Sequence, residues 1–505
     1  MKKYYMRCGT LPTELLSPFE FQTKNIIGSN AGNLVYQYGI IRSLLTYKSE
    51  FIPSQYENKL SDAQLEQINS ECTAHILPLS DAFRPEFMNE LRLITKNVKK
   101  LDIPTIVTGV GLRAPYEPDL SQSFSFDEDV KEFMKAVLEK SAIVGVRGQI
   151  TSDYLTKLGF KEGTHHTVIG SPGMYAKGRE FEIRETVINE FSKVAFNSTS
   201  ACGLNIQRFI MNNADKFAEA TFLPQLVDEL RLLYAGKEFI SKADKSYPSK
   251  IAGKYHMDDN VKFFLNVPSR MKFLSNMDLC FGARLHGNIA ALMSGTPAVI
   301  IPKDTRTREA AEYHNLTMIK DGSKLDPEAN LLDIIEDLDL QAPKKVQKEN
   351  FDHFIDFLDA NGLEHVYVQD KDLKTTTLDL QNISKTAEVK PLVKCNVNEI
   401  VYRLSSFNSY EAGKIRTTNK KIDDMKKNIA GFRKQRPIQL KQIEDNKVLI
   451  SEKQELLNAK KDELEELNEQ VKLVQEQYDL QQAKLKEEAE RLAQEEAELA
   501  EQEQI

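Results

Sequence analysis

Arg284 and His286 are the residues of this 505-residue chain whose types and spacing point most directly to chemistry. They lie in MDLCFGARLHGNIAALMSGTPAVIIPKDTRTRE, Met277 to Glu309, with Leu285 between them as a further candidate contact to a substrate. A guanidinium grips a planar carboxylate or a phosphate through paired hydrogen bonds, and an imidazole beside it moves a proton near neutral pH. Arg306, two residues past Asp304, offers a second grip on the same anion, with Arg308 as a substitute. Glu309 is a base or, as we favour, a partner of a helix dipole. The plain alternative for Arg284 and His286 is a hydrogen-bonded turn between sheet and helix. Residue types alone weigh the two readings evenly.

The elements that must position these side chains are legible around them. Asp278 to Phe281 is a short apolar run of strand character, Gly282 to Arg284 turn the chain, and His286 to Met293 have helical spacing. After the break at Gly295 and Pro297, Ala298 to Ile301 predict a second strand, and another helix begins near Thr305. This is the repeating unit of an open parallel sheet, in which ligands sit beyond the carboxyl ends of strands and against helix N-termini.

GARLHGNIAALMSGTPAVII followed by KDTRTRE resembles the signature of the polysaccharide pyruvyl transferase family, where an R-L-H triplet opens a helix and a D-x-R segment follows the next strand. The similarity runs from about Gly28 to about Leu358. It implies an α/β fold of two doubly wound, Rossmann-like domains of the GT-B type, facing across a cleft. It also implies transfer of a pyruvyl group from phosphoenolpyruvate to sugar hydroxyls, forming a cyclic ketal. Phosphoenolpyruvate is then the donor substrate, the acceptor is a glycan or lipid-linked sugar, and the chemistry requires no cofactor or metal. In that chemistry His286 serves as the acid, held near neutrality because a helix N-terminus lowers its pKa and a bound anion raises it, while Arg284 holds the donor.

Other candidates come along the chain. Gly28, Asn30, Gly32 and Asn33 form a small-residue loop before a helix marked by Leu34, Tyr38, Ile41 and Leu45. A tight turn that binds nothing is an even alternative, and the family's similar asparagine-glycine loop implies binding. His75 to Leu79 form a strand leading to SDAFRPEFM, which lacks the glycine cluster common in the family and leaves the acceptor side open. Gly109 and Gly111 open a G-x-G-x-x-A run after the strand Pro104 to Thr108. Pro115 and Pro118 follow at once, so no helix opens on those glycines and a nicotinamide or flavin site is excluded. They read instead as cleft lining. Arg147 resembles a family arginine and is a candidate for anion binding. Asp127 and Asp129 read as the start of a helix, not as a metal site. Asn197 and Ser198, between a strand at Val194 to Asn197 and the next helix, either donate to a phosphate or cap that helix.

Expected domains are 1–180 and 181–365, both α/β, with a helix at Lys177 to Glu190 and a strand at Val261 to Leu265. Residues 366–414 read as a linker or small β extension, and 415–505 as a long helix. Apolar residues recur at every seventh position from Ile443 to Leu499, one seam of a coiled coil. The companion seam is mixed, with Leu467 and Val474 among Asn446, Lys453, Lys460, Gln481, Glu488 and Glu495. One good seam and one poor one predict a weak or register-flexible pairing, with a second copy or a partner helix, and Pro437 should kink or interrupt the helix.

A net charge of -8 without a broad basic stripe argues against a nucleic-acid partner. Five scattered cysteines fit free thiols in a reducing compartment. No run has signal-peptide or membrane-spanning character, so a cytoplasmic protein is expected, reaching the inner face of the membrane only through partners. Two rivals share the fold or the arm. One is a nucleotide-sugar-dependent GT-B glycosyltransferase, although R-L-H matches nucleotide-sugar loops poorly. The other is a non-catalytic coiled-coil assembly protein of glycan synthesis, against which the retention of both Arg284 and His286 argues.

Overall fold

Short apolar runs flanked by glycine, proline and polar turns build two parallel sheets. In the first, β1 (Lys2–Met6), β2 (Ser49–Pro53), β3 (Ala74–Pro78) and β4 (Thr105–Thr108) lie in the order β2-β1-β3-β4. The pair β5 (Val144–Val146) and β6 (His166–Val168) continues it through a bridge from Val110 to Val146. In the second, β7 (Lys193–Asn197), β8 (Glu219–Phe222), β9 (Leu279–Gly282) and β10 (Ala298–Ile300) lie in the order β10-β9-β7-β8, with single bridges at Val261 and Met318 on its two edges. All residues of β3, β4, β9 and β10 are buried, as expected of parallel strands covered on both faces. Strand order reverses between β1 and β3 in one sheet and between β7 and β9 in the other. Such reversals open crevices at the carboxyl ends of the strands.

The computed structural model describes residues 1–14, 16–239, 243–381 and 388–502. They form two units, 1–410 and 411–505. Both sheets belong to the first, which is α/β with parallel sheets throughout. Its central joint is the helix Gly32–Leu44, which packs against the helix Leu285–Leu292 and against Pro172 to Tyr175. Gly39 makes that approach possible, because a Cβ there would lie 2.0 Å from the Pro172 carbonyl oxygen.

The strand-turn-helix unit around Arg284 forms as its sequence predicts. Other expectations differ. Residues 177–190 form an extended connector and no helix. Phe181 and Ile183 point inward between exposed neighbours, a period of two, and Arg184 donates from its main chain to Gly295 O at 2.9 Å. Val261 to Leu265 contribute one bridge to Phe222 instead of a strand.

The stretch expected as a linker or β extension carries the short helical turns Thr377–Leu380 and Leu392–Lys394, then the start of the last helix, and no strand among the described residues. It is pinned by the buried Arg42, which donates to Tyr367 Oη at 2.7 Å, Lys374 O at 2.6 Å and Asp379 Oδ2 at 2.8 Å. The last helix, Val397–Gln502, starts earlier than 415 and continues through Pro437.

Gly282 ends β9 with φ +142°, and a Cβ there would lie 1.8 Å from the Asn197 carbonyl oxygen. Gly282→Ala should therefore cost about 3 kcal/mol or more through strain and overlap combined. Gly159→Ala, at φ +97° with open space around it, should cost only about 1 kcal/mol. Urea unfolding of the two variants checks the contrast, and equal losses would remove the steric argument.

Candidate active site

The crevice between β7 and β9 is built by two asparagines. Asn197 is fully buried, and its Oδ1 accepts from the Arg284 main-chain N–H at 2.7 Å while its carbonyl accepts from Ala283 at 3.1 Å. Asn288 Nδ2 donates to Gly282 O at 3.1 Å and Arg284 O at 3.0 Å. The turn that carries Arg284 is thereby fixed at both ends. Arg284 Nε donates to Ser198 O at 2.9 Å, leaving Nη2 buried without a protein partner, as is Ser198 Oγ. Asn197 thus holds the turn, and Ser198 presents a free hydroxyl beside the guanidinium. Neither caps the next helix, which starts later at Leu204.

His286 sits in the first turn of the helix Leu285–Leu292, 4 % exposed and stacked on Tyr36 with ring centroids 5.3 Å apart. Its Nε2 lies 3.4 Å from Ser171 Oγ. Tyr36 is fixed by its hydroxyl, which donates to Pro78 O at 3.1 Å at the end of β3. The imidazole is pushed well below its ordinary pKa, first by burial and then by the positive charges of Arg147, Arg306 and Arg270. It is neutral at pH 7 in this state. Without a bound anion, burial and three guanidiniums act on the ring in the same direction.

Arg147 follows β5 and is fully buried; its Nε and Nη2 donate to Gly109 O at 3.0 and 2.8 Å, and Nη1 has no protein partner. Its pKa is lowered to about 10 by burial and then by Arg306. Gly109 is at φ +67°, where a Cβ would lie 2.9 Å from Gly170 O, so this anchor for Arg147 requires glycine. Arg306 Nη2 lies 3.5 Å from Asp304 Oδ2 and its Nε is unpartnered. Burial would raise the Asp304 carboxyl, but Arg306, Lys303 and donors from Thr307 hold it below its usual range. Arg308 turns to Glu312 and to Tyr116 O.

Gly111 touches the same cluster, with a Cβ there placed 3.0 Å from Glu309 Oε1 and 3.1 Å from Arg147 Cβ. Glu309 accepts from Thr151 N and Oγ1, both at 2.8 Å, and burial pushes its pKa up to about 8. It is mostly a neutral acid at pH 7 and does little to balance the arginines.

The loop from Gly28 to Asn33 reaches this neighbourhood through Gly32, where a Cβ would lie 3.3 Å from His286 Cβ. Asn30 Oδ1 accepts from Gly32 N at 2.9 Å, and Asn33 Nδ2 donates to Ile27 O at 2.9 Å, so both side chains shape their own turn. Gly28, at φ +53°, turns against Tyr56. Leu285 is 3 % exposed and packs in the apolar core.

Sequence reasoning missed Arg270 and Lys303. Arg270 is 5 % exposed in the helix Val267–Leu274, with Nε and Nη2 unpartnered and its pKa lowered to about 10 by burial. Lys303 is lowered to about 8, again first by burial. Arg270 belongs to no motif. Lys303 stood in the quoted segment and was passed over for its neighbours. The larger cavities found lie elsewhere, one of about 1150 Å³ between Lys177, Phe264 and Met271, while Arg284, Lys303 and Arg306 stay half-buried. Among the described residues no group of three or more His, Cys, Asp or Glu side chains is placed to hold a metal ion. No described helix is long and apolar enough to cross a membrane.

A family model for polysaccharide pyruvyl transferase matches residues 42–304, which include Arg147, Asn197, Ser198, Arg284 and His286 but neither the Gly28 loop nor Arg306. The chain belongs to the polysaccharide pyruvyl transferase family and is a transferase. Comparison with curated proteins gives no match. Among solved structures, the chain is similar to a UDP-GlcNAc 2-epimerase from Neisseria meningitidis bound to UDP-GlcNAc, with 9 % identity, 71 % of this chain and 100 % of that one covered, and a TM-score of 0.39. It is also similar to S. aureus MnaA with UDP, at 12 % identity, 71 % and 96 % coverage and a TM-score of 0.39. The glycosyltransferase SnogD from Streptomyces nogalater gives 11 % identity, 70 % and 95 % coverage and a TM-score of 0.29.

Burial gives the pH dependence of stability two signs. His75, lowered to about 4, and His314, lowered to about 3, stay neutral in the fold while the unfolded chain takes up protons below about pH 6.5, so stability falls on acidification from there. Glu309 acts oppositely, because between about pH 4.3 and 8 the folded chain keeps a proton that the unfolded chain has lost. Its contribution falls as pH rises through that window. Thermal melts across pH 4 to 9 should show both arms, and Glu309→Gln should flatten the alkaline one. An unchanged alkaline arm in that variant would remove Glu309 as its source.

Proposed function

We propose that this transferase moves a pyruvyl group from phosphoenolpyruvate to two hydroxyls of a cell-surface polysaccharide or its lipid-linked precursor, closing a ketal and releasing phosphate. The observation that carries the reading is the excess of positive charge around His286. Arg147, Arg270 and Arg306 act on the ring, each keeps at least one N–H without a protein partner, and the nearby Glu309 is largely uncharged. A small donor with a carboxylate and a phosphate offsets that charge and takes up those donors.

In this reading the free N–H groups of Arg147 and Arg306 hold the donor, and Arg284 with Ser198 extends the grip. The bound anion raises the His286 pKa, so the ring acquires a proton as the donor binds. His286 then protonates the methylene carbon of the enol, and positive charge develops at the neighbouring carbon. One acceptor hydroxyl adds there and gives its proton back to the ring. The carbon–oxygen bond to phosphate breaks, and the second hydroxyl closes the ketal while its proton leaves on phosphate. Atoms balance without a metal or redox cofactor. We read the two parallel sheets, each reversing its strand order, as a GT-B-type arrangement working in the cytoplasm.

The test is phosphate release from phosphoenolpyruvate in the presence of candidate glycans. His286→Ala and Arg147→Ala should each lower the rate by about 100-fold or more. Phosphoenolpyruvate should also raise the thermal midpoint by mass action. Stabilisation by UDP or GDP instead, with no phosphate released, would turn the reading toward a nucleotide-sugar glycosyltransferase.

A further inference from the structure

The second unit is almost wholly the helix that ends at Gln502, and its apolar side chains are exposed: Ile450 is 65 % exposed, Leu457 55 % and Val471 60 %. Helices of globular proteins take most of their stability from packing an apolar face, so this face requires a cover. The seam is longer than its strongest stretch. Every seventh residue from Ile415 to Leu499 is apolar except Arg436, which adjoins Pro437. At about 1.5 Å per residue that seam is about 130 Å long.

We infer that residues 415–499 pair with the same stretch of a second copy of this chain, and that the two helices run antiparallel. Two features of the sequence select this occupant and its direction. The companion seam carries Lys453, Lys460, Glu488 and Glu495. In a parallel, in-register pair each would face its own copy, stacking like charges in the core. Reversing one helix sets each of these positions against an apolar position of the other seam, past which a long side chain extends to water. Charge along the helix points the same way. Residues 414–436 hold nine Lys or Arg against two Asp, whereas 486–505 hold eight Glu against one Lys and one Arg. A parallel pair sets like ends together, and an antiparallel pair sets opposite ends together.

One register also matches every apolar residue of the mixed seam to an apolar residue of the regular one. It places Ile450 opposite the partner's Leu467 and Ile443 opposite the partner's Val474. It likewise places Leu485 opposite the partner's Phe432 and Leu492 opposite the partner's Met425. Two-fold symmetry repeats each layer. Arg436 then faces the partner's Gln481, so the one polar break in the regular seam meets a side chain that accepts its hydrogen bonds.

The experiment uses the full chain. Light scattering should give twice 57.5 kDa. In a mixture of ¹⁴N- and ¹⁵N-labelled protein, zero-length carbodiimide should join Lys426 or Lys427 of one isotope to Glu487 or Glu488 of the other. Ile443→Glu with Ile450→Glu should return the mass to one chain while leaving the melting of the first unit unchanged. Lys426→Glu with Lys427→Glu should weaken the pair about tenfold, and adding Glu487→Lys with Glu488→Lys should restore it. A monomer, a higher oligomer, interchain links confined to equal residue numbers, or no rescue by the charge swap would each overturn the proposal.

Discussion

Positive charge without enough negative charge, held out of water, is the constraint on which the first unit depends. Arg147 is fully buried and Arg270 nearly so, Arg306 bears on both Arg147 and His286, and Lys303 is drawn down to about 8 in the same neighbourhood. Each group loses hydration on folding and repels the others. A sequence selected for stability alone would place a carboxylate beside each. Here Asp304 is shared between Arg306 and the cap of its own helix, Asp81 is paired with Arg84, and Glu309 keeps its proton. The arrangement is destabilising in isolation, and an anion placed among these groups would offset the cost, which makes the cluster a candidate site.

The rigid parts are those that resist this repulsion. Asn197 and Asn288 fasten the turn after β9 through main-chain groups, so Arg284 projects from a frame that does not depend on its own charge. Gly109 gives Arg147 a carbonyl to lean on, and Thr305 Oγ1 donates to Leu112 O while accepting from Ala114 N, which ties the glycine loop to the helix that carries Arg306. Neutral hydrogen bonds thus set the positions of charged groups. The chemistry is exchangeable, and the frame is not.

What the sequence made legible follows from the range of the forces involved. The strand, turn and helix around Arg284 are local, encoded by apolar runs, Gly282, Gly295 and Pro297, and they form where expected. Residues 177–190 look helical by composition, but Phe181, Ile183 and the long-range bond from Arg184 to Gly295 draw them out straight. Arg270 could not be found in advance, because nothing near it in sequence distinguishes a buried guanidinium from a solvated one. Its place in the cluster exists only once the helix Val267–Leu274 packs against the helices Leu285–Leu292 and Gly32–Leu44. The neutral state of His286 likewise comes first from burial and then from residues 147, 306 and 270, which no spacing rule connects.

Burial and neutrality of the His286 ring are two faces of the same electrostatics. An imidazole that is 4 % exposed and surrounded by guanidiniums cannot hold a proton, and removing water makes their repulsion stronger. Adding a multiply charged anion reverses the sign of the field at the ring, and low permittivity then strengthens the attraction as it had strengthened the repulsion. An anion bound there and a proton on His286 would therefore be thermodynamically linked, each favouring the other. The seven-residue stripe of the second unit obeys a related logic with the opposite material. There hydrocarbon lies in water where, in the first unit, charge lies in hydrocarbon, and in each case the missing partner is defined by what the surface lacks.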